Sequence, residues 1–189
     1  MDLSRRRLFN RRTTQVESCK PPWSLQGETF FERCSRCDAC VTACPTGLLR
    51  RGDGGFPVAD FSAAACTLCG DCVRVCTPGA LSRDGEPWLF MAVVGEACLA
   101  YRRVECRVCG DVCQATDADA IRFRPVLGGV PRPEIDAAAC TGCGACLAPC
   151  PTSAITRASR RDEAPLPSPA GGVARTGAKS VESLCDESA

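Results

Sequence analysis

The spacing of the cysteines limits what this chain can fold into more than any other feature. The run C-x2-C-x2-C-x3-C occurs three times along the 189 residues, and a fourth run has seven residues between its first two cysteines. These runs hold 16 of the 18 cysteines and leave out Cys19 and Cys185. The four runs are Cys34, Cys37, Cys40 and Cys44; Cys66, Cys69, Cys72 and Cys76; Cys98, Cys106, Cys109 and Cys113; and Cys140, Cys143, Cys146 and Cys150.

This spacing suits the ligands of a cubic 4Fe–4S cluster. Each of its four irons takes one thiolate, and three cysteines three residues apart wrap a tight loop around three corners. The fourth cysteine leaves on a turn, before a proline at Cys44 and Cys150, and therefore suits a neighbouring cube. Small residues between the ligands let backbone N–H groups approach the sulfurs. The sequence predicts clusters at the three regular runs and a fourth at the stretched run.

Zinc and disulfide bonds are the alternatives. Zinc is usually bound by two separated C-x2-C pairs, so one cysteine of each run would be left over. A disulfide framework belongs in secreted proteins. Residues 4–9 resemble the start of a twin-arginine export signal, but no apolar stretch follows, which predicts retention in the reducing cytoplasm. The longest apolar run, residues 88–94, is too short for a transmembrane segment.

Internal repeats predict how the ligands are shared. The first run recurs 32 residues later, and the last three cysteines of the stretched run recur 37 residues later. We expect two lobes, each exchanging fourth ligands between its two clusters. The expected ligand sets are Cys34, Cys37 and Cys40 with Cys76; Cys66, Cys69 and Cys72 with Cys44; Cys98, Cys106 and Cys109 with Cys150; and Cys140, Cys143 and Cys146 with Cys113.

The expected fold class is α+β, with tandem bacterial-type ferredoxin lobes of short helices and β-hairpins wrapped around the clusters. With no histidine and 5% aromatic residues, a large apolar core is not expected, so the clusters would replace it. Strands are expected at 56–58 and 130–135, and helical residues after each fourth cysteine. The expected regions are a basic arm (1–24), a first lobe (25–86, motifs 25–54 and 57–86), a second lobe (87–158, motifs 98–113 and 131–158) and a disordered tail (159–189).

The segments that link the cysteine runs resemble one bacterial family. Generic bacterial ferredoxins share only the cysteine runs, so the linking segments decide the resemblance. Over roughly residues 1–158 the chain resembles the ferredoxin-type proteins of the periplasmic nitrate reductase system, the NapF family. Thr77 departs from that pattern, since proline often stands there. The resembling segments are residues 4–9, 21–23, 33–40, 54–57, 95–113, 123–125 and 140–156.

The resemblance implies a cytoplasmic accessory protein that acts on the precursor of the nitrate reductase catalytic subunit and helps it acquire its own iron–sulfur cluster. The residues alone indicate a multi-cluster protein that is not an enzyme, because they include no acid–base pair, nucleophile constellation or phosphate loop. No nucleic-acid partner is expected. A plain electron carrier between redox partners and purely structural clusters remain as alternatives. We expect partner contacts at residues 95–113 and at Pro21, Pro22 and Trp23.

Overall fold

Short elements separated by turns make up the part of the chain that the computed structural model describes, residues 19–160. Their shortness follows from the sequence, because a cysteine, glycine or proline interrupts every apolar run after a few residues. Two 3₁₀ turns, Asp53–Gly55 and Leu99–Arg102, lie among the longer elements. The helices and strands are α1 (Thr29–Arg33), α2 (Ala39–Thr42), β1 (Leu49–Arg51), β2 (Pro57–Ala59), α3 (Asp71–Arg74), β3 (Phe90–Val94), α4 (Val108–Gln114), β4 (Ile121–Arg124), β5 (Arg132–Ile135) and β6 (Ile155–Ser159).

The strands form three separate antiparallel pairs. Strands β1 and β2 pair locally with Leu49 opposite Ala59, and β4 and β5 pair locally with Ile121 opposite Ile135. Strands β3 and β6 pair over a long sequence separation, with Phe90 opposite Ser159. The predicted strands at 56–58 and 130–135 overlap β2 and β5, which begin one and two residues later. The β3–β6 pair closes the second half of the chain on itself.

Helices α2 and α3 end before the fourth cysteines of their runs, and α4 ends one residue after Cys113, so the prediction of a few helical residues after each fourth cysteine is wrong. Helices α2 and α3 carry the third cysteines, Cys40 and Cys72, and end before Cys44 and Cys76. After Cys44 the chain turns, and the N–H of Gly47 donates to the carbonyl of Cys44 at 3.2 Å. Gly47 has a φ of 67°, a conformation that ends helical structure and favours glycine.

Both predicted outer boundaries move by a few residues. Ser159 is buried in β6, and the N–H of Arg160 donates to the carbonyl of Leu89 at 2.9 Å, so these two residues belong to the fold and not to the tail. At the other end Cys19 bridges to Ala59, which makes residues 19–24 part of the fold as well. The rest of the predicted arm and tail, residues 1–18 and 161–189 with Cys185, lies outside the described residues.

The buried apolar residues form two clusters. The first contains Phe30, Leu48, Phe61, Trp88 and Phe90, and the second is built around residues of α4, β4 and β6. The ring of Phe61 lies 5.2 Å from that of Trp88 and 5.7 Å from that of Phe90, centroid to centroid. Apolar packing therefore crosses residue 87, where the sequence predicts the boundary between the lobes.

Candidate metal centres

Cysteines from two different runs meet at one cavity in the first half of the chain. Helix α2 places Cys40 at its wall, and the loop after α3 supplies the fourth cysteine from the other run. The cysteines that line the cavity are Cys34, Cys37, Cys40 and Cys76.

The other expected ligand set of the first half consists of Cys66, Cys69, Cys72 and Cys44, and some of these thiols change one another's pKa. The charge of Cys44 raises the pKa of Cys66, and the charges of Cys66 and Cys69 raise the pKa of Cys72, in each case after the larger effect of burial. The Cys44 sulfur therefore lies near that of Cys66, and the sulfurs of Cys66 and Cys69 lie near that of Cys72, although the charge of Cys40 also acts on Cys72. That Cys44, Cys66, Cys69 and Cys72 hold one cluster stays a prediction.

The second half of the chain repeats this arrangement at two cavities. Helix α4 carries both Cys109 and Cys113 and contributes one to each cavity. Cysteines of the stretched run line a cavity as those of the regular runs do, and the 3₁₀ turn Leu99–Arg102 lies within the extra residues between Cys98 and Cys106. The cavities are lined by Cys113, Cys140, Cys143 and Cys146, and by Cys98, Cys106, Cys109 and Cys150.

The third cysteine of every run is a buried thiol that resists ionisation. Burial, and then the charges of neighbouring cysteines, raise the pKa of Cys40 to about 11 and that of Cys72 to about 12. Burial likewise raises the pKa of Cys109 to about 11 and that of Cys146 to about 12. Such a group becomes a thiolate near neutral pH only when a metal replaces its proton.

Two fourth cysteines are instead prepared to carry negative charge. Burial acts to raise the pKa of Cys44, but backbone N–H groups, including that of Leu49, and the Thr46 hydroxyl outweigh it and lower the pKa. At Cys150 burial is again outweighed, by backbone N–H groups and a hydroxyl from residues 152–155, and the pKa is lowered. The N–H of Ala154 donates to the Cys150 sulfur at 3.3 Å. Hydrogen bonds of this kind stabilise cluster thiolates.

A buried indole points at the second set. Trp88 is 4% exposed, and its N–H has no ordinary hydrogen-bond partner in residues 19–160. The pKa of Cys66 is raised by burial, while the backbone N–H of Leu68 and then the indole N–H of Trp88 act to lower it. The indole therefore faces the Cys66 sulfur without reaching ordinary hydrogen-bond geometry. A donor buried in this way fits a sulfur that carries negative charge.

Two glycines of the fourth run stand where the surrounding atoms leave no room for a side chain. Gly142 has a φ of +71°, and a Cβ there would lie 2.7 Å from the carbonyl oxygen of Phe90. Gly144 has a φ of +76°, and a Cβ there would lie 2.2 Å from the ring of Phe61. The loop is thus held close to the first half of the chain. Cysteine donors, N–H groups aimed at sulfur and a tight glycine loop together fit a 4Fe–4S cluster.

The two alternatives from the sequence find no support in residues 19–160. The 17 cysteines there are all free thiols, so the described residues contain no disulfide. No group of three or more cysteine, aspartate or glutamate side chains in this part of the chain is close enough to hold a single metal ion. The sulfurs surround cavities instead of converging on one point.

The sequence pattern does not identify Trp88 as a residue facing a cluster ligand, and it predicts no structural role for Cys19. Trp88 counted only as part of an apolar run, although a tryptophan directly before a strand in a chain with two tryptophans was an available signal. Cys19 is buried and its sulfur accepts a hydrogen bond from Arg157, 138 residues away. It is not among the residues that line the three cavities. No pattern in the sequence pairs Cys19 with Arg157.

The expected partner contacts divide into a buried part and an exposed part. Pro21 and Pro22 are buried, and half-buried Trp23 packs against the first apolar cluster. The N–H of Trp23 donates to the carbonyl of Pro87 at 3.0 Å. Pro21 and Pro22 therefore attach the N-terminal segment to the fold and offer no contact surface, whereas partner contact at half-buried Trp23 stays a prediction. Tyr101, in contrast, is 37% exposed.

Comparisons with known proteins agree with this geometry. The 4Fe-4S dicluster domain family matches residues 33–80 and 102–154, which contain every cysteine of the four runs except Cys98. The ferredoxin-type protein NapF of Escherichia coli K12 is 42% identical over 158 residues, which cover 82% of this chain and 94% of that protein. The chain belongs to the NapF family of ferredoxin-type proteins. It is a 4Fe–4S protein.

This chain aligns with different shares of the length of its other relatives. NapF of Haemophilus influenzae is 43% identical over 150 residues, 79% of this chain and 84% of that protein. One component of the ion-translocating oxidoreductase complex of Methanosarcina acetivorans is 40% identical over 147 residues, 74% of this chain but 53% of that protein. No solved structure matches the chain significantly. None of the helices in residues 19–160 has the length and apolar character needed to cross a bilayer.

Proposed function

We propose that this protein is a cytoplasmic, non-catalytic accessory protein that uses its 4Fe–4S clusters to mature the catalytic subunit of the periplasmic nitrate reductase before export. Membership of the NapF family is the observation that carries the proposal. The resemblance runs through the linking segments as well as the cysteine runs, and so reaches beyond what any multi-cluster ferredoxin shares.

The proposed cluster ligands are four sets of four cysteines. Three sets line the three cavities, and the fourth consists of Cys44, Cys66, Cys69 and Cys72. When bound, the clusters supply one-electron redox chemistry or iron and sulfide for delivery. The chain's own residues hold the sulfurs, donate N–H groups to them and shield them with apolar side chains such as Leu48 and Ile155, which are 1% and 7% exposed. Four clusters are proposed, the fourth on the Cys98 set.

A plain electron carrier is the second candidate function. The similarity to a component of an ion-translocating oxidoreductase complex favours it, because that relative belongs to a redox assembly by its name. The paired arrangement of cysteine sets suits electron transfer as well as cluster delivery. The two candidates differ in whether the partner gains a cluster or only an electron.

A comparison of strains with and without this protein separates the two functions. We expect the nitrate reductase from the deletion strain to contain less iron and to be less active, with other electron donors intact. Purified holoprotein should capture the catalytic subunit precursor in a pull-down before its cofactors are loaded, and less of it afterwards. A fully loaded and active reductase in the deletion strain, together with rapid electron transfer from reduced holoprotein, would establish the carrier function instead.

A further inference from the structure

The extra residues of the stretched run form an exposed loop beside one cysteine cavity. Residues 101–105 are exposed in succession, between buried Ala100 and half-buried Cys106. Ala100, at 2% exposure, anchors the 3₁₀ turn, and the N–H of Val104 donates to the carbonyl of Leu99 at 3.0 Å. The regular runs fold without such an insertion. The loop is therefore an ordered projection whose presence cluster binding does not require.

This loop carries apolar side chains on its outer surface. Tyr101, Val104 and Val108 are 37%, 49% and 37% exposed, and they are three of the four large apolar residues exposed in the described part of the chain. Val108 also lines the cavity of Cys98. Apolar side chains grouped on one loop beside a cavity mark a surface that another molecule can cover.

The charge around these apolar residues is positive. Arg102 and Arg103 form no ion pair with any residue of the described chain, and Arg107 lies 3.8 Å from Glu105, the one acidic residue of the loop. Arg132 adds a further positive charge from β5, with its guanidinium 5.3 Å from the centre of the Tyr101 ring. Tyrosine and arginine are enriched at protein–protein interfaces, where they often contribute most of the binding free energy.

We propose that the loop of residues 99–108 is the docking surface for an acidic protein surface with an apolar centre. The apolar side chains would be covered by the partner, and the guanidinium groups of Arg102 and Arg103 would meet its carboxylates and orient the encounter. The docked partner would sit directly over the Cys98 cavity. The inference rests on the proposed function only in the choice of partner, which is the precursor of the nitrate reductase catalytic subunit.

Single substitutions in the full-length holoprotein test this surface. Arg102→Glu and Val104→Asp should each weaken binding of the precursor about tenfold, equivalent to ~1.4 kcal/mol. Arg33→Glu is the matched control, because Arg33 is an exposed arginine without an ion pair in the described residues and is distant in sequence from the loop of residues 99–108. Added salt should weaken binding of the unchanged protein more than binding of Arg102→Glu. Equal iron contents would exclude loss of a cluster as the cause.

The outcomes are distinguishable. Binding of the precursor by the unchanged protein, with no loss in Arg102→Glu and Val104→Asp relative to Arg33→Glu, overturns the docking surface and leaves the proposed function standing. No binding of the precursor by the unchanged protein overturns the proposed function, and with it the partner assigned to the loop. Co-sedimentation with vesicles of anionic lipid that Arg102→Glu abolishes would assign the loop to a membrane surface and overturn the protein partner.

Discussion

Trp88 places a buried N–H group opposite the sulfur of Cys66, and the pairing has a consequence for redox behaviour. A hydrogen bond to a cluster sulfur stabilises the more negative, reduced state and so raises the reduction potential. Trp88→Phe keeps most of the ring packing against Phe61 and removes the N–H. We expect one cluster, the one held by the Cys66 set, to shift to a more negative potential while the iron content stays constant.

Anaerobic redox titration followed by electron paramagnetic resonance measures this shift. The control is Trp23→Phe, which removes the indole N–H of the chain's other tryptophan. Unchanged potentials in Trp88→Phe would mean that the indole serves packing alone.

Cys44 distinguishes ligand exchange from self-contained runs. The charge of Cys44 acts on Cys66, and the expected ligand set joins these two cysteines, so Cys44→Ala should damage the cluster of the Cys66 set and spare the one held by Cys34. Resonance spectra that resolve the two clusters, recorded beside the intact protein, would identify the affected one. A defect confined to the Cys34 cluster would mean that each run binds its own cube.

At the level of elements, the cysteine spacing predicted the cavities better than it predicted the secondary structure. Ligand spacing follows from the cube, and the structure brings Cys76 to the first cavity and Cys150 to the cavity of Cys98 as expected. The local strands β2 and β5 were also predicted, because alternation and turn residues act over a few positions. Helix positions failed, since four-residue helices such as α2 leave no periodicity to detect.

The β3–β6 pair could not be predicted from local pattern. The paired residues are separated by more than sixty positions, and nothing in the local sequence of either strand indicates which distant segment it will pair with. For the same reason the sequence assigned Ser159 to the tail, although its pairing with Phe90 makes it a buried strand residue. The hydrogen bond from the N–H of Trp23 to the carbonyl of Pro87 is likewise not predicted from the sequence, because the two residues are distant along the chain.

The stretched run gives a test of cluster number. If the Cys98 cavity holds a full cluster, the reconstituted protein contains about 16 irons per chain with equal sulfide, and about 12 if it does not. Cys98→Ser should then lower the content to about 12, because that cavity loses a thiolate. Cys19→Ser is the matched control, a buried cysteine outside the cavities, and should leave the count unchanged. Zinc without sulfide would contradict cluster binding altogether.

Across the whole molecule, the two halves are joined at their metal-binding loops. The N–H of Cys66 donates to the carbonyl of Cys143 at 2.8 Å, and Gly144 packs directly on Phe61. Leu147 contacts both apolar clusters. The junction therefore consists of ligand loops from the second and fourth runs, which the sequence repeats alone do not indicate, because repeats predict units and not the contacts between them.

The global charge should depend on cluster binding, and this dependence can be measured. The amino acids sum to +1 at pH 7 when every cysteine is a neutral thiol. An oxidised 4Fe–4S cube with four thiolates carries a charge of about −2, so four cubes add on the order of −8. Native electrophoresis near pH 8 should therefore move the holoprotein faster towards the anode than the apoprotein.

The same prediction has a defined pH dependence. Burial raises the pKa of Cys40 to about 11 and that of Cys72 to about 12, so the apoprotein keeps these thiols neutral at pH 8 while iron holds them as thiolates in the holoprotein. As the pH rises the apoprotein gains thiolate charge, and the difference in mobility should narrow and then reverse, because sixteen free thiolates carry more negative charge than four cubes. Equal mobilities at pH 8, with iron and sulfide present in the holo sample, would contradict the charge assigned to the clusters.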